Sequence, residues 1–130
     1  MRYWALDLLA CLSCKSYPLN LIVFDKEIED IDTTNIPKPY CKNYCGYLKE
    51  DIKEGKEYPC EECLKHEITE GILYCSKCLH WYPIKKGIVI MLPDGRRRKE
   101  SDLEFLKKYH DRIPENILKN GKPFNLSNED

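Results

Sequence analysis

Gly71-Ile72-Leu73-Tyr74-Cys75-Ser76-Lys77-Cys78-Leu79-His80-Trp81-Tyr82-Pro83-Ile84 decides the fold. An apolar run enters a Cys-x-x-Cys turn and a second apolar run leaves it. Gly87-Ile88-Val89-Ile90-Met91-Leu92-Pro93 then supplies a further stretch rich in β-branched residues. Near the start, Cys11-Leu12-Ser13-Cys14 repeats the same spacing. Residues 18–27 follow it and read as a strand centred on Leu19, Leu21, Ile22, Val23 and Phe24. Paired cysteines at tight turns among strands are the layout of a zinc ribbon.

The eight cysteines of the chain all fall in close pairs. Besides Cys11/Cys14 and Cys75/Cys78 there are Cys41/Cys45, a Cys-x-x-x-Cys, and Cys60/Cys63. Each pair lets two thiolates converge on one ion, so the chain is expected to hold two zinc ions in two four-thiolate sites. A nested arrangement joins the two outer pairs and the two inner pairs; a sequential one joins each pair to its neighbour. The flanks favour nesting. The outer pairs sit among strands, whereas the inner pairs lie among Pro37, Pro39, Pro59 and many Lys and Glu. Around them, Tyr47, Leu48 and Ile52 suggest a short helix ending near Gly55. His66 and His80 are not needed as ligands and read as partly exposed.

This gives an α+β fold: a small antiparallel zinc-ribbon sheet over residues 1–33 and 67–93, a metal-stapled insertion at 34–66, and a helical extension at 94–130. Residues 3–10 read as a short helix packed on the sheet. In the extension, Ser101-Asp102-Leu103-Glu104 reads as a capping box opening a helix to about Arg112. Pro114 starts a second helix through Leu118, which Asn120-Gly121 ends. Residues 125–130 are polar and expected to be mobile. In 130 residues the buried apolar area is limited, and metal is a second source of stability.

The net charge is −1, with 21 basic and 22 acidic residues. That argues against a protein whose whole surface grips nucleic acid. One local run, Arg96-Arg97-Arg98-Lys99, is a candidate RNA contact. No apolar run approaches the ~20 residues a membrane helix needs. Leu8-Leu9-Ala10-Cys11 has the look of a lipidation box, but Asp7 breaks the apolar stretch before it. A cytoplasmic location is expected, where reduced thiols favour metal over disulfides.

Four thiolates close a zinc shell and lower its Lewis acidity, so the metal is read as structural. Iron in the same thiolates would make a rubredoxin-like electron carrier. No nucleophile–base–orienter set stands out, and the six glycines form no phosphate loop. The chain is not expected to be an enzyme. Its suggestive feature outside the metal sites is the strand at 87–93. Ile88, Ile90 and Leu92 make one apolar face, Val89 and Met91 the other. A one-layer ribbon buries only one face, so the second needs cover from the C-terminal helix or from a partner's sheet edge. Trp81 and Tyr82 nearby are residue types enriched at interface hot spots.

Asp7-Leu8-Leu9-Ala10-Cys11-x-x-Cys14, Gly71-Ile72-Leu73-Tyr74-Cys75-x-x-Cys78, Trp81-Tyr82-Pro83-Ile84 and Met91-Leu92-Pro93 together resemble the zinc-binding methyltransferase activator subunit. That family is the small partner shared by tRNA, rRNA and translation-factor methyltransferases. The resemblance covers residues 1–27 and 67–93; the long insertion and C-terminal extension suggest an archaeal version. It implies a non-catalytic subunit that docks on the sheet edge of a class I S-adenosylmethionine-dependent methyltransferase. The resulting heterodimer keeps the enzyme soluble and competent for its methyl donor, and tRNA is met through the complex. Carried over by position, the zinc ligands are Cys11, Cys14, Cys75 and Cys78. The docking region is Ile88, Val89, Ile90, Met91 and Leu92, with Trp81, Tyr82, Pro83 and Pro93 as flanking contacts. The chain departs from the family at Leu12, Val89 and Ile90, where prolines or a polar residue are frequent. The inner set, Cys41, Cys45, Cys60 and Cys63, is not a family feature, and its metal rests on spacing. The rival functions are a zinc-ribbon nucleic-acid-binding protein and the iron electron carrier.

Overall fold

The β-branched and aromatic residues that follow the first cysteine pair form β1 (Asn20–Ile28), and those that enter the last pair form β4 (His66–Tyr74). The computed structural model describes residues 1–128. β1 and β4 pair antiparallel, and β4 continues through the Cys75/Cys78 turn into β5 (Trp81–Lys85) and the edge strand β6 (Ile88–Val89). The sheet order is β1-β4-β5-β6, so the two longest strands lie together and β6 is left at one edge.

Two register shifts interrupt the β1–β4 ladder, between Val23 and Asp25 and between Asp25 and Lys26. Residues five apart in a regular strand face opposite sides. The shifts let Ile68 and Leu73 share one face instead. That face also buries Tyr3, Leu6, Leu21, Tyr82 and Ile84. The opposite face carries Phe24, Ile72 and Trp81 against Phe105, Leu106, Ile113 and Ile117. The sheet is therefore covered on both sides, by the N-terminal segment on one and by the C-terminal helices on the other.

The N-terminal cover is a 3-10 turn, Tyr3–Asp7, rather than a longer helix. The C-terminal cover is α2 (Lys99–Lys108) and α3 (Glu115–Asn120). Trp81 stacks on Phe105 at 5.7 Å between ring centroids, and Phe24 on Tyr109 at 4.2 Å. Trp81 also donates its indole N–H to the Phe124 carbonyl at 2.8 Å, while Arg112 donates to the Phe24 carbonyl at 2.6 Å. The extension is thus stitched to the ribbon. α2 starts earlier than the capping-box reading: Arg98 holds the N-cap position and Ser101 lies inside the helix, accepting from Lys85 Nζ at 3.1 Å. Asn125 and Ser127 are held by hydrogen bonds, and Leu126–Asn128 forms a 3-10 turn, so the tail is ordered to that point. The rest of the expected mobile tail, residues 129 and 130, lies outside the described residues.

The segment between β1 and β4, where the sequence suggests an insertion at 34–66, runs over residues 29–65. It contains a hairpin, β2 (Tyr44–Cys45) with β3 (Glu50–Asp51), where the sequence suggested a helix. Lys49 takes φ 58 to close that hairpin, a left-handed conformation incompatible with a continuing helix. A single helical turn, α1 (Cys60–Cys63), follows. No helix among the described residues is long and apolar enough to cross a membrane.

Candidate metal centres and docking face

The two outer knuckles have matching backbones. The Cys11 carbonyl accepts from the Lys15 N–H at 3.0 Å, and the Cys75 carbonyl from the Leu79 N–H at 2.9 Å. The Cys11 N–H donates to Ser16 O and the Cys75 N–H to His80 O. Lys15 (φ 64) and Leu79 (φ 66) make the same left-handed bend. Each turn therefore aims its two sulfurs at the other turn. Cys11 Sγ lies 3.5 Å from Cys78 Sγ, and Cys14 Sγ 3.5 Å from Cys75 Sγ. All four sulfurs fall within 4.8 Å of one another. A tetrahedral zinc shell with Zn–S of about 2.3 Å separates its sulfurs by about 3.8 Å, so the donor set fits zinc.

The surroundings tune these thiols. Burial pushes Cys11 up, but the Cys14 amide, the Tyr82 hydroxyl and the Ser13 amide outweigh it and hold the thiol below its ordinary range. The Ser16 hydroxyl and amide lower Cys14 to about 6. Burial raises Cys78 to about 12. Tyr82 accepts from the Leu12 N–H at 3.2 Å and lies 3.4 Å from Cys11 Sγ. His80 places Nδ1 3.4 Å from Cys78 Sγ and Nε2 3.1 Å from both Asp94 oxygens. It contacts the Cys78 thiol from outside the quartet. His66 packs between Tyr3 and Tyr47 and meets Glu62 at 3.1 Å. Both histidines are buried, contrary to the partial exposure expected from sequence.

Cys41, Cys45, Cys60 and Cys63 are also all buried and line one narrow pocket in the insertion. Nesting of the pairs is thus realised in space. Among the described residues, only the outer quartet brings its sulfurs within 4.8 Å, so the inner set stands looser. Two backbone amides point at inner sulfurs: Leu48 N–H to Cys45 at 3.4 Å and Tyr40 N–H to Cys60 at 3.5 Å. Burial pushes Cys41 and Cys63 up to about 12; the Asp7 carboxylate and then the neighbouring thiols add to the rise at Cys41, and the neighbouring thiols alone at Cys63. A bound cation reverses that penalty. Both quartets can bind metal.

Of the expected partner contacts, Trp81, Tyr82 and Pro83 are fully buried in this chain's own core and present no surface to a partner. The strand expected over 87–92 pairs only at Ile88 and Val89. Pro83 is the reason. Its carbonyl accepts from the Ile90 N–H at 2.8 Å, but proline has no N–H to return. Val89 and Met91 pack on the N-terminal core, not under the C-terminal helices. Ile88 stays 67% exposed and Leu92 39%, with Ile90 half-buried and Pro93 exposed. Leu12, at the tip of the first knuckle, shares a groove with Leu92 and Pro93. The basic run divides as well. Arg97 is buried, stacked on Trp81, donating to the Trp81 carbonyl at 2.7 Å and paired with Asp102 at 2.9 Å. Burial pushes the Asp102 carboxyl up despite this partner. Arg97 is therefore not an RNA contact, whereas Arg96, Arg98 and Lys99 are exposed.

A residue missed in the sequence is Asp7. Its carboxylate accepts from the Lys42, Asn43 and Tyr44 amides at 3.0, 2.8 and 2.9 Å and from the Tyr17 hydroxyl at 3.2 Å. Burial raises its carboxyl, yet these donors outweigh it and hold the group below its ordinary range. The signal available was the extra residue in Cys41-x-x-x-Cys45.

The fold and site together define a sheet-mounted tetrathiolate ribbon with a half-open apolar edge. The family model for Trm112p-like protein matches residues 5–87, and the chain belongs to the Trm112p-like family. A solved chain from the E. cuniculi Mtq2–Trm112 complex is 25% identical, with a TM-score of 0.53. The match covers 71% of this chain and 95% of that one. That complex is described as responsible for methylation of the eRF1 translation termination factor. A comparison with curated proteins finds no match.

Proposed function

We propose that this protein is the non-catalytic activator subunit of class I S-adenosylmethionine-dependent methyltransferases acting on tRNA and translation components. It works in the cytoplasm as one half of a heterodimer. The observation that carries the reading is the edge: Ile88 and Leu92 remain exposed beside an incompletely paired β6, while both faces of the sheet carry a packed core. Membership in the Trm112p-like family and the likeness to a chain of a methyltransferase complex support it. A partner strand laid on this edge hides apolar surface at about 25 cal/mol per Å². Activation is then linkage: a subunit that binds only the folded, donor-competent enzyme raises that population.

Zinc fixes the scaffold, with one ion in each cysteine quartet. Cys11, Cys14, Cys75 and Cys78 hold the ion that closes the ribbon, and when bound it supplies cross-linking rather than chemistry. Ile88→Asp and Leu92→Asp test the docking edge. Co-purification with the methyltransferase should be lost while metal content and circular dichroism stay unchanged. Undiminished complex formation by the double variant would remove the edge from the account.

A second reading draws on the outward set of Arg96, Arg98 and Lys99, next to Leu92 and Pro93. On the complex they would meet RNA phosphates. Their replacement by alanine should reduce the salt dependence of RNA binding by the heterodimer without weakening the heterodimer itself.

A further inference from the structure

The Cys-x-x-x-Cys spacing has a structural counterpart. Its three intervening residues, Lys42, Asn43 and Tyr44, are the three whose amides converge on the Asp7 carboxylate. Three consecutive N–H groups around one anion form a nest. Here the anion comes from the 3-10 turn of the ribbon, and the nest is the loop between two inner cysteines. Gly46, directly after Cys45, meets the same turn: a Cβ there would lie 2.6 Å from the Tyr3 carbonyl and 2.7 Å from Leu6 Cδ1. Trp4, from the same turn, lines the inner cysteine pocket. The first inner knuckle is thus shaped from outside the insertion. The second, Cys60–Cys63, is one helical turn that sets its thiols on one side. The two amide-to-sulfur contacts at Cys45 and Cys60 are donors that favour thiolates.

Resting on the ion proposed above for the inner quartet, we infer that Asp7 is the positioning residue that assembles the first knuckle of this site for a thiophilic divalent cation of the zinc class. Asp7 does not touch the ion. It fixes the 41–45 loop so that Cys41 and Cys45 face Cys60 and Cys63, and the ion draws the four together. Metal occupancy of the insertion is thereby tied to docking of the ribbon's N-terminal turn. The inference stands whether or not a methyltransferase binds the edge.

The test uses the full chain with Zn²⁺ and with Co²⁺ as a spectroscopic stand-in. Two ions per chain are expected in the wild type and one in Cys60→Ser, which identifies the inner ion in a chelator titration. Asp7→Asn keeps the shape but turns one acceptor oxygen into a donor. It should weaken the inner ion about 10–100-fold and leave the outer ion at wild-type affinity. Leu106→Ala loosens the core on the opposite face of the sheet, away from the 41–45 loop, so it should lower stability with no selective loss of the inner ion. If Asp7→Asn does not fold, Asp7→Ser, which retains an acceptor, supplies the same comparison. One ion per wild-type chain, or release of both ions equally from the Asp7 variants, would overturn the inference.

Discussion

The outer cysteines ride on a sheet and the inner ones hang from loops. Cys75 and Cys78 sit between β4 and β5, and Cys11 and Cys14 lead into β1. Strand pairing fixes these backbones, and the matching knuckles bring sulfurs to 3.5 Å. The inner four are supported by a hairpin of two-residue strands, one helical turn and a cluster whose buried members are Cys45, Tyr58 and Cys60. Two short strands without a core are marginal in water. Where pairing sets the backbone, ligand geometry is inherited. Where it does not, the Asp7 carboxylate holds the 41–45 loop, and the proposed ion would complete the geometry.

The sharpest way to break this contrast is to remove one ligand from each half. Cys75→Ser should cost the outer ion and the fold, since structural zinc contributes about 10–16 kcal/mol apparent. Cys60→Ser should leave the near-ultraviolet circular dichroism of Trp81 and its neighbours intact. A natively folded Cys75→Ser protein would erase the distinction. Next in size, Phe105→Ala should destabilise the sheet by about 3–5 kcal/mol in urea unfolding, with both ions retained. A loss below about 1 kcal/mol would mean that the helical extension does not support the sheet that mounts the outer site.

Acid response separates the halves more finely. Thiols raised to about 12, Cys41 and Cys63, carry protons at neutral pH and must release them when the ion binds. In the outer site Cys11 and Cys14 are held down and Cys78 is raised. Loading strengthens with rising pH at both sites, and more steeply at the inner one. Each additional displaced proton changes apparent affinity about tenfold per pH unit. Competition titrations between pH 6 and 8 check this; equal slopes would contradict it. The smallest effect is at the outer knuckle. Lys15→Gly should stabilise by up to about 1 kcal/mol, because left-handed backbone is costly with a Cβ and glycine's chain entropy offsets part of the gain. Thermal unfolding with zinc bound measures it.

Much of this was legible in the sequence, residue by residue. Two Cys-x-x-Cys turns flanked by apolar runs specified the ribbon, because the ligand pair and the strand alternation are both local. The same alternation separated Val89 and Met91 from Ile88 and Leu92. The fate of Trp81 and Tyr82 was not legible, since hydrophobicity states that a side chain needs cover and not what covers it. Arg97 looked like its neighbours in a run of four cations. Extended backbone at Arg97 and Arg98 turns successive side chains to opposite sides, and Asp102 and Trp81 receive the inward one. The shortness of β6 depended on Pro83, a residue that becomes its neighbour only through the β5–β6 register.

By itself the sequence determined the cysteine pairs, their nested order and the presence of an apolar strip after the last knuckle. Those follow from spacing along one chain, over which backbone geometry has little freedom. Only tertiary structure decided which face of the strip stays open, which arginine turns inward, and that Asp7 reaches into the 41–45 loop. Those are contacts between residues distant in the chain, and their energies come from burial and amide convergence that exist only once the sheet has formed.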